Sequence, residues 1–207
     1  MNAKERAALL NGGTFVLGIR GSGKTTYARK FVQDLSPKRL LIISATSDWD
    51  SFVTREQKKP LYGRDFYRRN HRVAFNYPHI INKDLSMILT HGNFYIIFDD
   101  LDAFVQMLRD SNYKLASAIV TKLNYLALMG RHKNIGFLVI SHRLHNIPQN
   151  LLSEAYRVVC FSLHHPGDMR DLSVLLGREY RLDVAQLKGH EFREYNFFLA
   201  DSGKQES

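Results

Sequence analysis

The chain of 207 residues reads as an α/β protein, with a mostly parallel central sheet carrying helices on both faces. Three observations predict this. Apolar runs with strand character alternate with helix-like stretches along the chain. Several runs are apolar throughout rather than at every second residue, the pattern of strands buried on both faces. The first run ends in a glycine-rich stretch that opens a helix, the strand, loop and helix context of a phosphate-binding loop.

The first strand is expected over residues 14–17, running into Gly18-Ile19-Arg20-Gly21-Ser22-Gly23-Lys24-Thr25, which fits G-x-x-x-x-G-K-[ST]. Glycines allow the tight turn and let backbone N–H groups point at phosphate oxygens. A helix starting near Lys24 aims its positive dipole end at the same place, and Lys24 adds a mobile ammonium. Thr25 would place its hydroxyl on Mg2+. The stretch from Gly18 to Thr25, with Thr26, is the candidate nucleotide-binding set. The first helix, 25–35, gathers Ala28, Phe31, Val32 and Leu35 on one face and ends at Ser36-Pro37.

Strands are expected next at 40–44 and 73–76. Between them, residues 54–72 break the pattern, with Arg55, Lys58, Lys59, Arg64, Arg68, Arg69 and Arg72 interleaved with Tyr62, Phe66 and Tyr67. The basic groups could neutralise phosphates while the aromatics stack or pack. The other reading is a solvated insertion whose aromatics fold onto the sheet. The run 94–98 then delivers Asp99-Asp100 to a strand's C-terminal end, where ligands bind in open α/β sheets. In a nucleoside triphosphatase Asp99 would hold Mg2+ through its water shell, and Asp100 would orient and deprotonate the attacking water. Asp102 reads as the cap of a long helix over 104–129.

Gly130-Arg131-His132-Lys133 closes that helix, with basic groups favoured there by the dipole. The strand 136–140 follows and ends in Ser141-His142-Arg143. His142 stands where it could touch a γ-phosphate or the lytic water. Strands at 158–161 and 195–200 complete the pattern, and the polar tail 202–207 is expected to fray.

Composition bounds the function. The chain is expected to form one domain over residues 1–207, and its net charge of +9 with pI near 9.7 favours a polyanionic partner, nucleic acid ahead of an acidic membrane surface. Cys160 is the only cysteine, so an internal disulfide is excluded and a buried thiol in a reducing compartment is expected. The histidines show no metal-ligand spacing. No apolar stretch approaches the roughly 20 residues of a membrane span, and residues 1–11 lack a signal-type apolar core, so a soluble, non-secreted protein is expected.

The ordered set of phosphate loop (Walker A), apolar strand ending Asp99-Asp100 (Walker B), Gly130-Arg131 before a strand, and that strand ending Ser141-His142-Arg143 resembles the FtsK-HerA superfamily of RecA-like P-loop ATPases. By size the chain is similar to the genome-packaging ATPases of membrane-containing icosahedral viruses. The resemblance implies ATP and Mg2+ as cofactors, with Lys24 and Thr25 on phosphate and metal and Asp99 as the metal acid. It implies Asp100 as the catalytic acid, where the family usually has Glu, and His142 followed by Arg143 where it usually has Gln then Arg. Arg131 falls at the family's arginine that acts on a neighbouring subunit's nucleotide. The resemblance also implies a homo-oligomeric ring, usually a hexamer, that pumps double-stranded DNA, with a capsid vertex or membrane protein as partner. The expected location is then the host cytoplasm or the packaging vertex of the virion.

Two other readings remain open on the residues alone. A small-molecule or nucleotide kinase also needs a phosphate loop, and residues 54–72 could serve as its lid. A nucleotide-switched assembly or secretion factor that moves protein would share the same site.

Overall fold

Alternate residues of the central strands go to opposite cores. Phe15 and Leu17, Ile96 and Phe98, Phe137 and Val139, and Val158 and Cys160 pack into one. Val16, Ile97, Leu138, Ile140, Val159 and Phe161 pack into the other. A strand apolar on both faces has no face to offer water, so helices must cover both sides. The computed structural model describes residues 1–53 and 70–197. Among the predicted features, the tail 202–207 and most of the basic insertion (Arg55, Lys58, Lys59, Tyr62, Arg64, Phe66, Tyr67, Arg68, Arg69) lie outside the described residues.

The strands are β1 (Gly13–Leu17), β2 (Leu40–Ile43), β3 (His71–Val73), β4 (Phe94–Asp99), β5 (Ile135–Ser141), β6 (Ala155–Phe161) and β7 (Phe192–Asn196). They form one sheet of seven strands in the order β3-β2-β4-β5-β1-β6-β7. All neighbours are parallel except β6 and β7. Helices α1 (Ala3–Asn11) and α2 (Lys24–Leu35) supply Leu9, Ala28, Phe31, Val32 and Leu35 to one face. On the other lie α3 (Pro78–His91), α4 (Leu101–Ser111), α5 (Tyr113–Met129), α6 (Gln149–Leu152), α7 (Pro166–Leu176) and α8 (Arg178–Gln186). Each large apolar side chain buried this way contributes about 1.5–3 kcal/mol. No helix among the described residues is long and apolar enough to cross a membrane.

The structure corrects four sequence expectations. The strand expected at 73–76 is β3, His71–Val73, because its ladder with β2 ends at Ile43 opposite Val73 and the chain then turns into α3. Arg72, assigned to the basic insertion, lies within that strand. It is buried, paired with Asp50 at 3.1 Å and donating to the Thr46 carbonyl, so it is no part of a solvated basic surface. The last strand begins at Phe192 rather than 195, because β7 is a half-exposed edge whose Arg193 and Glu194 hide it from an apolar-run criterion. The long helix 104–129 is two helices. Asn112 leaves helical geometry at φ −155° and ψ 83°, ends α4, and caps α5 by accepting from the Leu115 N–H at 3.0 Å.

Helix α1 rests on β5 at Gly136, where a Cβ would fall 2.3 Å from the Leu10 carbonyl oxygen and 2.9 Å from Tyr95 Cδ2. Arg6 of α1 also donates to the carbonyls of Leu35 and Ser36 and so closes the C-terminus of α2. Gly136→Ala should therefore push α1 off the sheet and cost about 1–3 kcal/mol, the usual range for overpacking. A urea titration followed by circular dichroism checks this: the midpoint should fall while the fold at zero denaturant is kept.

Candidate functional site

Three neighbouring strands end together. In the parallel register Leu17 of β1 lies beside Ser141 of β5, and Ile140 beside Asp99 of β4. The glycine-rich loop after β1, the polar end of β5 and the acid pair after β4 thus stand side by side at the C-terminal edge of the sheet.

Gly23 begins α2 at φ 98°, a left-handed conformation that favours glycine, and no side chain caps the helix. The first N–H groups of α2 are left for an incoming acceptor. Lys24 does not extend into solvent as a mobile ammonium. It is buried, with Nζ donating to the Ile19 carbonyl at 2.8 Å and lying 3.0 Å from His142 Nδ1. Burial pushes this ammonium below the usual lysine value, against the pull of Asp100, Asp102 and Asp99. Thr25 and Thr26 occupy the first turn of α2, half-buried and exposed respectively, while Ile19, Arg20 and Gly21 form the exposed crest of the loop over buried Ser22.

His142 joins the loop to the acids. Its Nε2 lies 3.0 Å from Asp100 Oδ1 and its Nδ1 3.0 Å from Lys24 Nζ, so a ring protonated on Nε2 can donate to Asp100. The same Nδ1 is 3.3 Å from the Gly18 carbonyl, a partner only for the other tautomer. Burial pushes the Asp100 carboxyl upward, but the hydrogen bond and charge of His142, with Lys24 and Arg20, outweigh it and hold the group below the usual carboxylate range. Asp100 also sits at φ 59° and ψ 54°, sparsely occupied for a residue with a side chain. It takes the N-cap position of α4, which begins at Leu101 rather than near Phe104, and makes no side-chain cap bond. Asp102, expected as the cap, is buried in the first turn, where its Oδ1 accepts from Ser141 Oγ at 2.8 Å. Its carboxylate thus ties α4 to the end of β5.

Asp99 lies under this layer. It accepts from Trp49 Nε1 at 2.9 Å and Ser44 Oγ at 3.0 Å. Burial raises its pKa, the two donors resist, and Asp100 and Asp48 add to the rise. A cation close by would relieve that charge, and an oxygen-donor pair of Asp99 and the Thr25 hydroxyl suits a hard divalent ion such as Mg2+.

Two predicted residues are not brought into this cluster. Arg143 Nη1 is 3.5 Å from Asp168 Oδ2, the buried acid of α7, and so ties β5 to that helix. Arg131 lies before the opposite end of β5, a strand of seven residues or roughly 23 Å from His142. Its guanidinium stands 5.2 Å over the Tyr156 ring.

Sequence reasoning missed Ser44, Trp49 and the aromatic flank of the loop. Ser44 had a legible signal, a polar residue ending an apolar strand like Ser141. Trp49 had none, because its contact with Asp99 spans 50 positions. Beside the loop, Gly23, Tyr27, Phe161, His190, Phe192 and Glu194 border a cleft of about 600 Å³, with Tyr27 Oη donating to Glu194 at 2.5 Å. Its ring walls suit a flat aromatic ligand.

Neither a protein-family model nor a curated protein matches the sequence. Solved structures do. The genome packaging NTPase B204 of Sulfolobus turreted icosahedral virus 2 in complex with AMPPCP superposes with TM-score 0.67 at 17% identity, over 90% of this chain and 93% of that one. The cytoplasmic domain of the Thermomonospora curvata type VII secretion ATPase EccC gives 0.60 at 13% identity, over 91% of this chain and 24% of that one. The pCW3 conjugation coupling protein TcpA with ATPγS gives 0.58 at 13% identity, over 91% and 58%. The chain shares its α/β fold with these nucleotide-binding proteins.

The left-handed backbone at Asp100 yields a stability test. Asp100→Gly removes a strained side chain and should keep the parent stability within about 1 kcal/mol. Asp100→Val places a β-branched residue in the left-handed region and should be less stable than Asp100→Gly by at least about 1 kcal/mol. Thermal unfolding of the pair checks the difference.

Proposed function

We propose that the protein is an ATP-hydrolysing motor that translocates double-stranded DNA, most simply for packaging a viral genome. The observation that carries the ATPase reading is the linkage of Lys24 to Asp100 through His142 at the mouth of the loop, with Lys24 at 3.0 Å and Asp100 at 3.0 Å from the two ring nitrogens. A phosphate arriving at the loop competes with His142 and the Ile19 carbonyl for the lysine. Asp100, kept ionised by its neighbours, is the acceptor for a proton of the attacking water. His142, just after the strand between loop and acids, reports which state the lysine is in. Mg2+, held by Thr25 and Asp99, would neutralise phosphate charge when bound. The ionised acid beside the lysine suits activated water and favours hydrolysis over a kinase reading.

The DNA reading rests on the net charge of +9 and on the fold shared with a genome-packaging NTPase. The same fold serves a secretion ATPase, so the cargo has to be tested directly. Wild-type protein should turn over ATP faster with duplex DNA than without. Lys24→Ala should lose nucleotide affinity and turnover in both conditions. Asp100→Asn should bind ATP yet turn over about 100-fold more slowly, the scale for losing a positioned base. Turnover indifferent to DNA sinks the DNA-motor reading, and wild-type turnover by Lys24→Ala sinks the site assignment.

Arg131, outside its own subunit's site, is proposed to act on the nucleotide of a neighbour in a homo-oligomeric ring. Such an arginine contributes roughly 1,000-fold or more in turnover. Arg131→Ala should bind ATP normally but hydrolyse it poorly, and mixing it with Lys24→Ala subunits should restore part of the activity. Mixed oligomers that form without any recovery count against action in trans.

A further inference from the structure

Among the described residues, two hydrogen bonds reach the Asp99 carboxylate, and both fall on one oxygen, Oδ2. Ser44 follows β2, the sheet neighbour of β4, and its hydroxyl accepts from the Thr46 N–H at 3.1 Å while giving its single proton to Asp99. Trp49 arrives from the loop after β2. Its side chain is fully buried, packed at 5.4 Å from the Phe52 ring within the α1 and α2 core. A hydroxyl can rotate to other acceptors, as the Thr46 hydroxyl 3.3 Å from Ser44 Oγ allows. A packed indole N–H is donor only and has a single direction. The loop that carries it is tied at several points. Thr46 Oγ1 donates to Asp48 at 2.9 Å, and Arg72 of β3 holds both the Thr46 carbonyl and Asp50.

We infer that Trp49 is a positioning residue for the divalent-cation site: its indole N–H pins Asp99 Oδ2, so that Oδ1 is the oxygen left to face a metal or its water shell. The inference rests on the nucleotide reading above. A carboxylate free to rotate presents either oxygen and spends orientational freedom on binding, whereas a pinned one is ready. Partners of this kind typically change metal affinity about 10- to 100-fold. The burial of Trp49 alone would be explained by packing. The aim of its one polar atom at the acid expected to hold Mg2+ is not.

Trp49→Phe in the full chain keeps an aromatic ring in the core and removes the N–H. Binding of a fluorescent ATP analogue is measured in EDTA and across an Mg2+ titration. The affinity in EDTA should match wild type, and the Mg2+ concentration giving half of the metal-dependent gain should rise about tenfold or more. An unchanged Mg2+ midpoint in a folded variant overturns the inference. Parallel loss of binding in EDTA assigns Trp49 to general packing and overturns it as well. If Trp49→Phe does not fold, wild-type protein decides. Trp49 is the sole tryptophan, so isotope-labelled protein has a single indole N–H resonance. That resonance should shift when Mg2+ is added to nucleotide-loaded wild type and should not shift in Asp99→Asn. A stationary wild-type resonance overturns the inference. If wild type binds no nucleotide, the ATPase reading itself falls, a failure distinct from loss of the Trp49 effect alone.

Discussion

The meeting of the glycine-rich loop, His142 and the acid pair depends on the seating of β5 between β1 and β4. The ladder matches Leu17 to Ser141 and Ile140 to Asp99, so the glycine-rich loop, the segment carrying His142 and the acids finish at one level. A slip of one residue would turn Phe137 and Val139 out of one core and Leu138 and Ile140 out of the other. Because both faces are filled, the hydrophobic cost of a slip guards the geometry of the polar edge. Ser141 adds a lock, since its hydroxyl donates to buried Asp102 while accepting from the Arg143 N–H at 3.1 Å. Core packing sets the register, and the register places the charges.

The edge keeps its charges in an arrangement that is costly in isolation and stable in company. A buried ammonium is disfavoured by desolvation, yet Lys24 has three carboxylates near it and two direct partners. Asp99 carries the opposite problem, a buried carboxylate beside another carboxylate, and answers it with two donors on one oxygen. The imidazole of His142 stands between the two signs and can accept from one while donating to the other. One of the four left-handed non-glycine residues among the described residues lies in the same place. Asp100 holds a left-handed backbone at the start of α4, and such local strain persists only where surrounding packing imposes it. Here α4 is anchored by Leu101, Phe104 and Leu108 in the core, which leaves Asp100 no cheaper conformation.

Long-range ties hold the edge to the rest of the molecule. Arg143 and the His145 N–H both meet Asp168, so α7 is tied to the segment leaving β5. Arg72 of β3 holds the loop that carries Trp49. The exposed Arg143 pair contributes little by charge alone, being close to half exposed. Its buried partner matters more, since Asp168 would otherwise lack two of its neighbours.

By itself, the sequence determined the α/β class, the glycine-rich loop that opens a helix and the polar strand ends at Asp99-Asp100 and Ser141-His142, because each is written in contiguous residues. A loop needs its glycines at fixed spacing, and a doubly covered strand needs an unbroken apolar run. What lay between such signals was less legible. The apolar period runs through Asn112 unbroken, so one helix was expected where a shared cap makes two. The charged edge strand β7 hid its own beginning. Only the tertiary structure decided that Asp102 serves Ser141 rather than a helix end, that Arg143 pairs with α7, that Arg131 stands at the far end of β5, and that Trp49 reaches Asp99. Local spacing shows which groups the backbone presents at one place. Which distant groups meet them depends on strand order, register and core packing, all long-range consequences of burying apolar surface, and no short stretch of sequence contains them.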